Sequence, residues 1–279
     1  MTQNSPLCTI AQEIADQFAQ IPAVVAVGQG GSVTSGPTDK DSDIDLYVFT
    51  TTAIPVAVRQ AIVDRRGASR ADMNLTFWDP GDEWFDAPSG IEIDVMYWDP
   101  RWIEDQIDNV LIHHYASMGY TTCHWHTLRH VAILFDRENW LSALKSRCET
   151  PYPEELRQNI IAKNYPILRS VIPAYYNQIE KALKRGDRVS VNHRIAALLA
   201  SYFDIIFALN RVPHPGEKRL LQRATTVCDQ RPQGMTQQVS ALLRAAASED
   251  ETVIKASHDV LDGLDNLLSA EGFNRLGGS

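Results

Sequence analysis

GGSVTSGPTDKDSDIDLYVF, Gly30 to Phe49, decides how the rest of the chain is read. A Gly-Gly-Ser turn precedes two aspartates, Asp43 and Asp45, and the segment then runs into the apolar residues Leu46 to Phe49. Three familiar ligand loops can be tested against it. A phosphate loop of the GxxxxGK[ST] type fits Gly31 to Thr38, except that Pro37 stands where the lysine must meet the phosphates. A dinucleotide fingerprint starting at Gly28 and Gly30 has Val33 in place of the third glycine. A calcium loop starting at Asp39 has Ile44 where glycine is needed and Thr50 where the bidentate glutamate is needed. Each candidate lacks a residue that its mechanism requires.

What remains is a strand with two carboxylates. The i, i+2 spacing sends Asp43 and Asp45 out of the same face, with Cα atoms about 6.5–7 Å apart. Side-by-side carboxylates repel unless a cation lies between them, and Mg²⁺ carrying a nucleoside triphosphate meets that need. A solvated acidic strand edge is the plainer reading of these two residues alone. IEIDVMYW, Ile91 to Trp98, strengthens the functional one, because Glu92 and Asp94 repeat the spacing on a second apolar strand. Inward carboxylates on such strands are costly unless they are paired or hold a metal. Two strands of this kind make a site of three or four carboxylates, suited to two-metal phosphoryl chemistry.

The 279 residues allow one large domain or two ordinary ones, and 44% apolar content supports a sizeable core. The net charge of −9 disfavours binding to long nucleic acids. Cys8, Cys123, Cys148 and Cys228 are isolated, so neither a zinc site nor a disulfide framework is expected. No signal peptide or membrane-spanning stretch is read, and a cytoplasmic protein is the expectation. His124 and His126 would aim two imidazoles at one metal if they alternated on a strand, yet no cysteine or carboxylate completes a zinc set.

Apolar spacing predicts a helix over 10–18 and strands over 23–27 and 43–49, then a helix over 56–66. Strands follow over 72–78 and 91–98, a helix over 102–118, and a strand over 131–135. Beyond about residue 150 only helical patterns remain, over 156–183, 189–209, 235–247 and 253–268. Pro166 and Pro173 are expected to start, kink or break the first of these. The expected class is therefore α+β: a mixed sheet with flanking helices in residues 1–148, then an all-α helical bundle in residues 149–279.

The pattern Gly31-Ser32, ten residues, Asp43-Ile44-Asp45, then Ile93-Asp94-Val95 resembles the nucleotidyltransferase fold of the DNA polymerase β superfamily. It is most similar to the aminoglycoside and lincosamide nucleotidyltransferases, and to bacterial nucleotidyltransferase-domain proteins with a helical C-terminal domain. The resemblance covers about residues 24–98, with a weaker match at Phe207 to Asn210, Pro213, Pro215 and Lys218. It implies that Gly31 lets the backbone approach a triphosphate and that Ser32 donates to a phosphate oxygen. Asp43 and Asp45 would bind metals, two Mg²⁺ ions in all. Asp94 would bind the second metal or help deprotonate the acceptor, with Glu92 as the other candidate base. Lys218 would reach the β- or γ-phosphate, if it is not simply a solvated lysine. The implied activity is transfer of a nucleoside monophosphate, AMP from ATP by family habit, to a hydroxyl of a small molecule. Antibiotics of the aminoglycoside or lincosamide kind are the acceptors that the resemblance suggests. Modification of a protein hydroxyl, and a nucleotide-binding module without activity, stay open as alternatives.

Overall fold

The computed structural model describes residues 6–31, 43–248 and 251–273. They form two compact units. One combines the described residues up to Asp108 with Thr127–Thr150; the other combines Asn109–His126 with the described residues from Pro151 onward.

The first unit is a six-stranded mixed sheet flanked by helices. Its strands are β1 (Val24–Gln29), β2 (Ile44–Thr50), β3 (Ala68–Leu75), β4 (Gly81–Asp86), β5 (Glu92–Trp98) and β6 (Ala132–Asp136), in the spatial order β3-β4-β5-β2-β1-β6. The central pair β2/β5 is parallel and every other pairing is antiparallel. Helix α1 (Pro6–Phe18) presents Ile10, Ile14 and Phe18 to one face of this sheet. Helix α2 (Val56–Arg66) adds Ile62 and Val63 to the same core. The strand side chains in that core are Ile44, Leu46 and Val48 from β2 and Ile93 and Val95 from β5. Side chains alternate along a strand, so Asp45 and Asp94 leave by the opposite face. The same apolar core that holds the sheet therefore aims the carboxylates away from α1 and α2.

A buried ion pair ties β4 to α2. Arg59 Nη1 donates to Asp82 Oδ1 at 2.6 Å, and both side chains are buried. Tyr97 Oη donates to the other Asp82 oxygen at 2.7 Å, and the Asn74 amide donates to Oδ1 at 2.7 Å. Arg59 Nε reaches the Ile54 carbonyl at 3.1 Å. Beyond each other, the two charges thus have partners on β3, on β5 and at Ile54 ahead of α2. Strand β4 had no clear sequence signature. Gly81-Asp-Glu-Trp-Phe-Asp86 is poor in β-branched residues, and pairing with both β3 and β5 overrides that weak propensity.

The other helices of this unit are α3 (Pro100–Leu111), α4 (Cys123–His130) and α5 (Trp140–Arg147); the last residues of α3 and the first of α4 belong to the second unit. Helix α3 ends seven residues sooner than expected, just before His114 adopts a left-handed conformation at φ 53°. Residues 123–130 form a helix rather than an alternating segment, so His124 and His126 leave in different directions.

The second unit is all-helical: α6 (Glu154–Arg169), α7 (Tyr175–Lys184), α8 (Arg188–Leu209), α9 (Leu220–Val227), α10 (Met235–Ala245) and α11 (Thr252–Ala270). Pro166 lies inside α6, whose last residue is Arg169, and Pro173 falls in the break before α7. Helix α8 is buried continuously from Ser201 to Leu209, which makes it the spine of the core. Asn210 caps its end, donating to the Ile206 and Gln230 carbonyls at 2.8 Å each. Arg188 at its start donates to the Ala247 and Ser248 carbonyls, an anchoring role.

One carboxylate lies inside that spine. Asp204 accepts from the Thr121 amide at 3.1 Å, the Thr121 hydroxyl at 2.7 Å and Asn164 Nδ2 at 3.3 Å. Asn164 also receives the Gly119 amide at 2.9 Å. These bonds explain why residues 109–126 pack with the helices although they interrupt the sheet unit in sequence. Burial pushes the Asp204 carboxyl up to about 7, with the Thr121 bonds pulling the other way. His214 is buried nearby, its amide donating to Thr122 Oγ1 at 2.7 Å, and burial lowers it to about 4.

Two outcomes are expected. Asp82→Ala leaves Arg59 buried without its partner and costs about 3 kcal/mol or more in urea unfolding; replacing both residues with apolar ones recovers part of that loss. Asp204 retains its proton in the folded chain over roughly pH 4 to 7, where the unfolded chain has lost it. Its contribution to stability is therefore full below about pH 4 and falls as pH rises through about 7, by an amount on the order of 4 kcal/mol. Thermal melts between pH 5 and pH 8 should show the native protein losing stability relative to Asp204→Asn.

Candidate functional site

The centre of the site is a register fact. In the parallel pair β2/β5, Asp45 lies directly beside Asp94. Adjacent strands are about 4.8 Å apart, so two like charges project from one face at close range. Asp43 comes immediately before Ile44, whose partner is Ile93, and Glu92 comes immediately before Ile93. Asp43 is half-buried, Asp45 buried, Asp94 half-buried and Glu92 exposed. All four expected carboxylates thus lie on or beside β2 and β5, with Glu92 opening β5 on the same face as Asp94.

The turn after β1 folds onto this pair. The Gly30 amide donates to the Asp45 carbonyl at 2.9 Å. Gly31 has φ +71°, and a Cβ there would fall 1.8 Å from Asp45 Oδ2. Only glycine permits both the left-handed backbone and this approach. A Cβ on Gly30 would lie 2.4 Å from the Tyr47 ring. Tyr47 is stacked on Trp98 with ring centroids 4.4 Å apart, and Trp98 Nε1 donates to Asp79 Oδ2 at 2.9 Å. Burial raises the Tyr47 hydroxyl well above its ordinary value, and the charges of Asp45 and Asp94 raise it further. The ring is therefore a neutral floor that holds the turn in place. Ser32 lies outside the described residues.

Two further carboxylates, not anticipated from sequence, continue the line. Glu83 on β4 stands opposite Asp94, and Asp72 on β3 stands opposite Glu83. A row Asp72, Glu83, Asp94, Asp45 thereby crosses four neighbouring strands. Finding Glu83 required β4 and its register, and neither has a strong periodic signal. Beside the row opens a cleft of about 450 Å³ lined by Asp72, Phe77, Trp78, Glu83, Asp94 and Met96, among others. Of the aromatics clustered near the acidic strands, Trp84 and Trp98 are buried, whereas Trp78 is almost fully exposed.

Among the described residues, no three His, Cys, Asp or Glu side chains already converge on one metal position. The Asp45–Asp94 pair still suits a hard divalent cation. Its donors are oxygens only, and Mg²⁺ commonly takes one or two carboxylates, with substrate phosphates and water completing the set. Lys218 is exposed in the second unit, in the turn before α9.

Comparison with known proteins adds a coarse frame. A family model described as a domain of unknown function (DUF4037) matches residues 120–220, just over a third of the chain. That span contains the Thr121, Asn164, Asp204 and His214 cluster of the helical unit. None of the curated proteins matches the sequence. Among solved structures, a nucleotidyltransferase-like protein from Exiguobacterium sibiricum is similar over 94% of this chain and 74% of its own, at 15% identity and a TM-score of 0.43. A likeness that distant assigns no residue a role. No helix among the described residues is long and apolar enough to cross a membrane.

The turn geometry yields a test. Gly31→Ala should destabilise the sheet unit by about 1–3 kcal/mol, through left-handed strain and collision with the carboxylate. Shortening the colliding side chain with Asp45→Ala should recover the collision part. A double-mutant cycle read by denaturant unfolding should give a coupling of at least about 0.5 kcal/mol between positions 31 and 45.

Proposed function

We propose that this chain is a Mg²⁺-dependent nucleotidyltransferase. It moves a nucleoside monophosphate, AMP from ATP, to a hydroxyl of a small molecule and releases pyrophosphate. Aminoglycoside- or lincosamide-like antibiotics are the first acceptors to try. One observation carries the reading: the Gly30–Gly31 turn is folded against a carboxylate that stands in register with a second one across the central strand pair. A pair of opposed carboxylates weakens a sheet. The arrangement is accounted for if a doubly charged cation and its phosphates occupy the face.

Asp43, Asp45 and Asp94 are the residues that would hold two Mg²⁺ ions, with the Gly31–Ser32 backbone and hydroxyl against the triphosphate. When bound, Mg²⁺ neutralises charge on the triphosphate and on the pyrophosphate that departs. Asp94 or Glu92 accepts the proton of the acceptor hydroxyl. The acceptor oxygen forms a bond to the α-phosphorus as the bond from that phosphorus to the bridging oxygen breaks, and pyrophosphate carries away the electron pair. Lys218 is the candidate cation for the β- or γ-phosphate. The protein's contribution is positioning and charge compensation, since no covalent intermediate on the chain is needed.

Thermal shift with ATP, GTP, CTP and UTP, with and without Mg²⁺, tests the donor half. At about 100 times the dissociation constant a ligand adds about 2.7 kcal/mol. A Mg²⁺-dependent shift with ATP is expected, lost in Asp45→Asn and in Asp94→Asn. Pyrophosphate release with a competent acceptor should fall at least about 100-fold in either variant, as for loss of a major electrostatic contribution. Undiminished release in Asp45→Asn would show the mechanism to be wrong, and tight nucleotide binding with no turnover would favour a binding module.

A further inference from the structure

The sheet order gives the carboxylate pair two unlike sides. The Gly30–Gly31 turn lies on the β1–β2 side, against Asp45. The cleft lies on the other side, over β5, β4 and β3. Its floor includes Asp94 and Glu83, which oppose each other in register. Its rim is the β3–β4 turn, where Phe77 is 82% and Trp78 is 93% exposed.

Two large aromatics held in solvent on one hairpin tip are unusual, because covering such a side chain is worth about 1.5–3 kcal/mol. The tip is also well anchored. Asp79, next to Trp78, accepts from Trp98 Nε1 at 2.9 Å, and Trp98 stacks on Tyr47, two residues along β2 from Asp45. At the base of the hairpin, the Asn74 amide is held by Asp82 at 2.7 Å. The hairpin tip that bears the exposed indole is therefore anchored to the strands that bear the carboxylates.

Charge decides which substrate belongs on this side. The cleft is lined by Asp72, Asp79, Glu83 and Asp94 against one cation, Arg70, which is bonded to Asp72 at 2.7 Å. A triphosphate is repelled there and belongs on the glycine-turn side. Carboxylates only accept hydrogen bonds, so a molecule in the cleft must bring donors. An indole face offers stacking area to a ring.

We propose that the acceptor occupies this cleft with a ring face on Trp78 and its hydrogen-bond donors toward Glu83, so that Trp78 and Glu83 determine acceptor specificity. This rests on the nucleotidyl-transfer reading and extends it. Neither residue takes part in proton transfer or in holding the nucleotide; both act on acceptor affinity. The acceptor class is a cyclic alcohol rich in donors, and amines strengthen its binding to the acidic floor.

The test uses the full chain with α-labelled ATP, Mg²⁺ and four probes: myo-inositol, 2-deoxystreptamine, kanamycin and lincomycin. At least one should be labelled. For that acceptor, Trp78→Ala and Glu83→Gln should each raise KM at least tenfold while kcat stays within about threefold, and Trp78→Phe should restore most of the affinity. The Mg²⁺-ATP thermal shift should be the same in all variants, which also verifies their folding. An acceptor labelled with the same KM by native protein, Trp78→Ala and Glu83→Gln overturns the inference. So does failure to label any probe by a protein that gives the Mg²⁺-ATP shift. Absence of that shift in the native protein is a different result, because it removes the nucleotidyl-transfer reading itself.

Discussion

Two carboxylates held in register on adjacent parallel strands are the constraint around which the sheet unit is organised. Asp45 and Asp94 cannot separate without shifting β2 against β5. A one-residue slip would carry Ile44, Leu46, Val48, Ile93 and Val95 out of the core packed by α1 and α2. The apolar face thus enforces the electrostatic strain on the polar face. The hydrophobic contribution of many residues outweighs the repulsion of a few.

The same logic runs outward from the pair. Gly31 adopts a left-handed conformation because it has no Cβ, and the turn is held by the Gly30–Asp45 backbone bond and the Tyr47 ring against Gly30. Tyr47 is held by Trp98, Trp98 by Asp79, and Asp79 belongs to the turn that carries Trp78. Beneath the sheet, Arg59, Asp82 and Tyr97 lock the hairpin to α2 and β5. The glycine turn and the aromatic tip are thus tied to the carboxylates from opposite sides.

The helical unit obeys a different constraint. Its long apolar spine, α8, buries a carboxyl group whose donors are the Thr121 amide and hydroxyl and the Asn164 side-chain amide. Asp204 draws the segment around Gly119 and Thr121 onto the helices, and Gly119 comes close enough to Ala200 that a Cβ would lie 3.0 Å from that residue's Cβ. The matched family region of unknown function spans this node, which makes it the natural place to look for what the helical part contributes.

Much of the architecture was legible from the chain. Periodicity located α1, β1, β2, α2, β5, β6 and α8 to within a few residues, because each buries a continuous face and so repeats its apolar residues. That Asp43 shares a face with Asp45, and Glu92 with Asp94, was readable from spacing alone, since the two-residue period of a strand is local. The switch to an all-helical second part was also visible in composition. Strand β4 and helices α4, α5 and α9 were not, and β3 (Ala68–Leu75) both begins and ends earlier than the expected 72–78. Gly81–Asp86 becomes a strand only because β3 and β5 both pair with it, and Cys123–His130 coils into a helix that its alternating histidines disguise.

By itself, then, the sequence determined which residues carry charge and which faces of which elements are apolar, because both follow from neighbours a few positions apart. Only the tertiary structure decided that Asp45 stands beside Asp94 and Asp94 beside Glu83. It also decided that Gly31 presses on Asp45, that Trp78 lines the cleft, and that residues 109–126 join the helices. These are relations between segments far apart in the chain. They are set by strand register and by buried hydrogen bonds, neither of which leaves a period in the sequence.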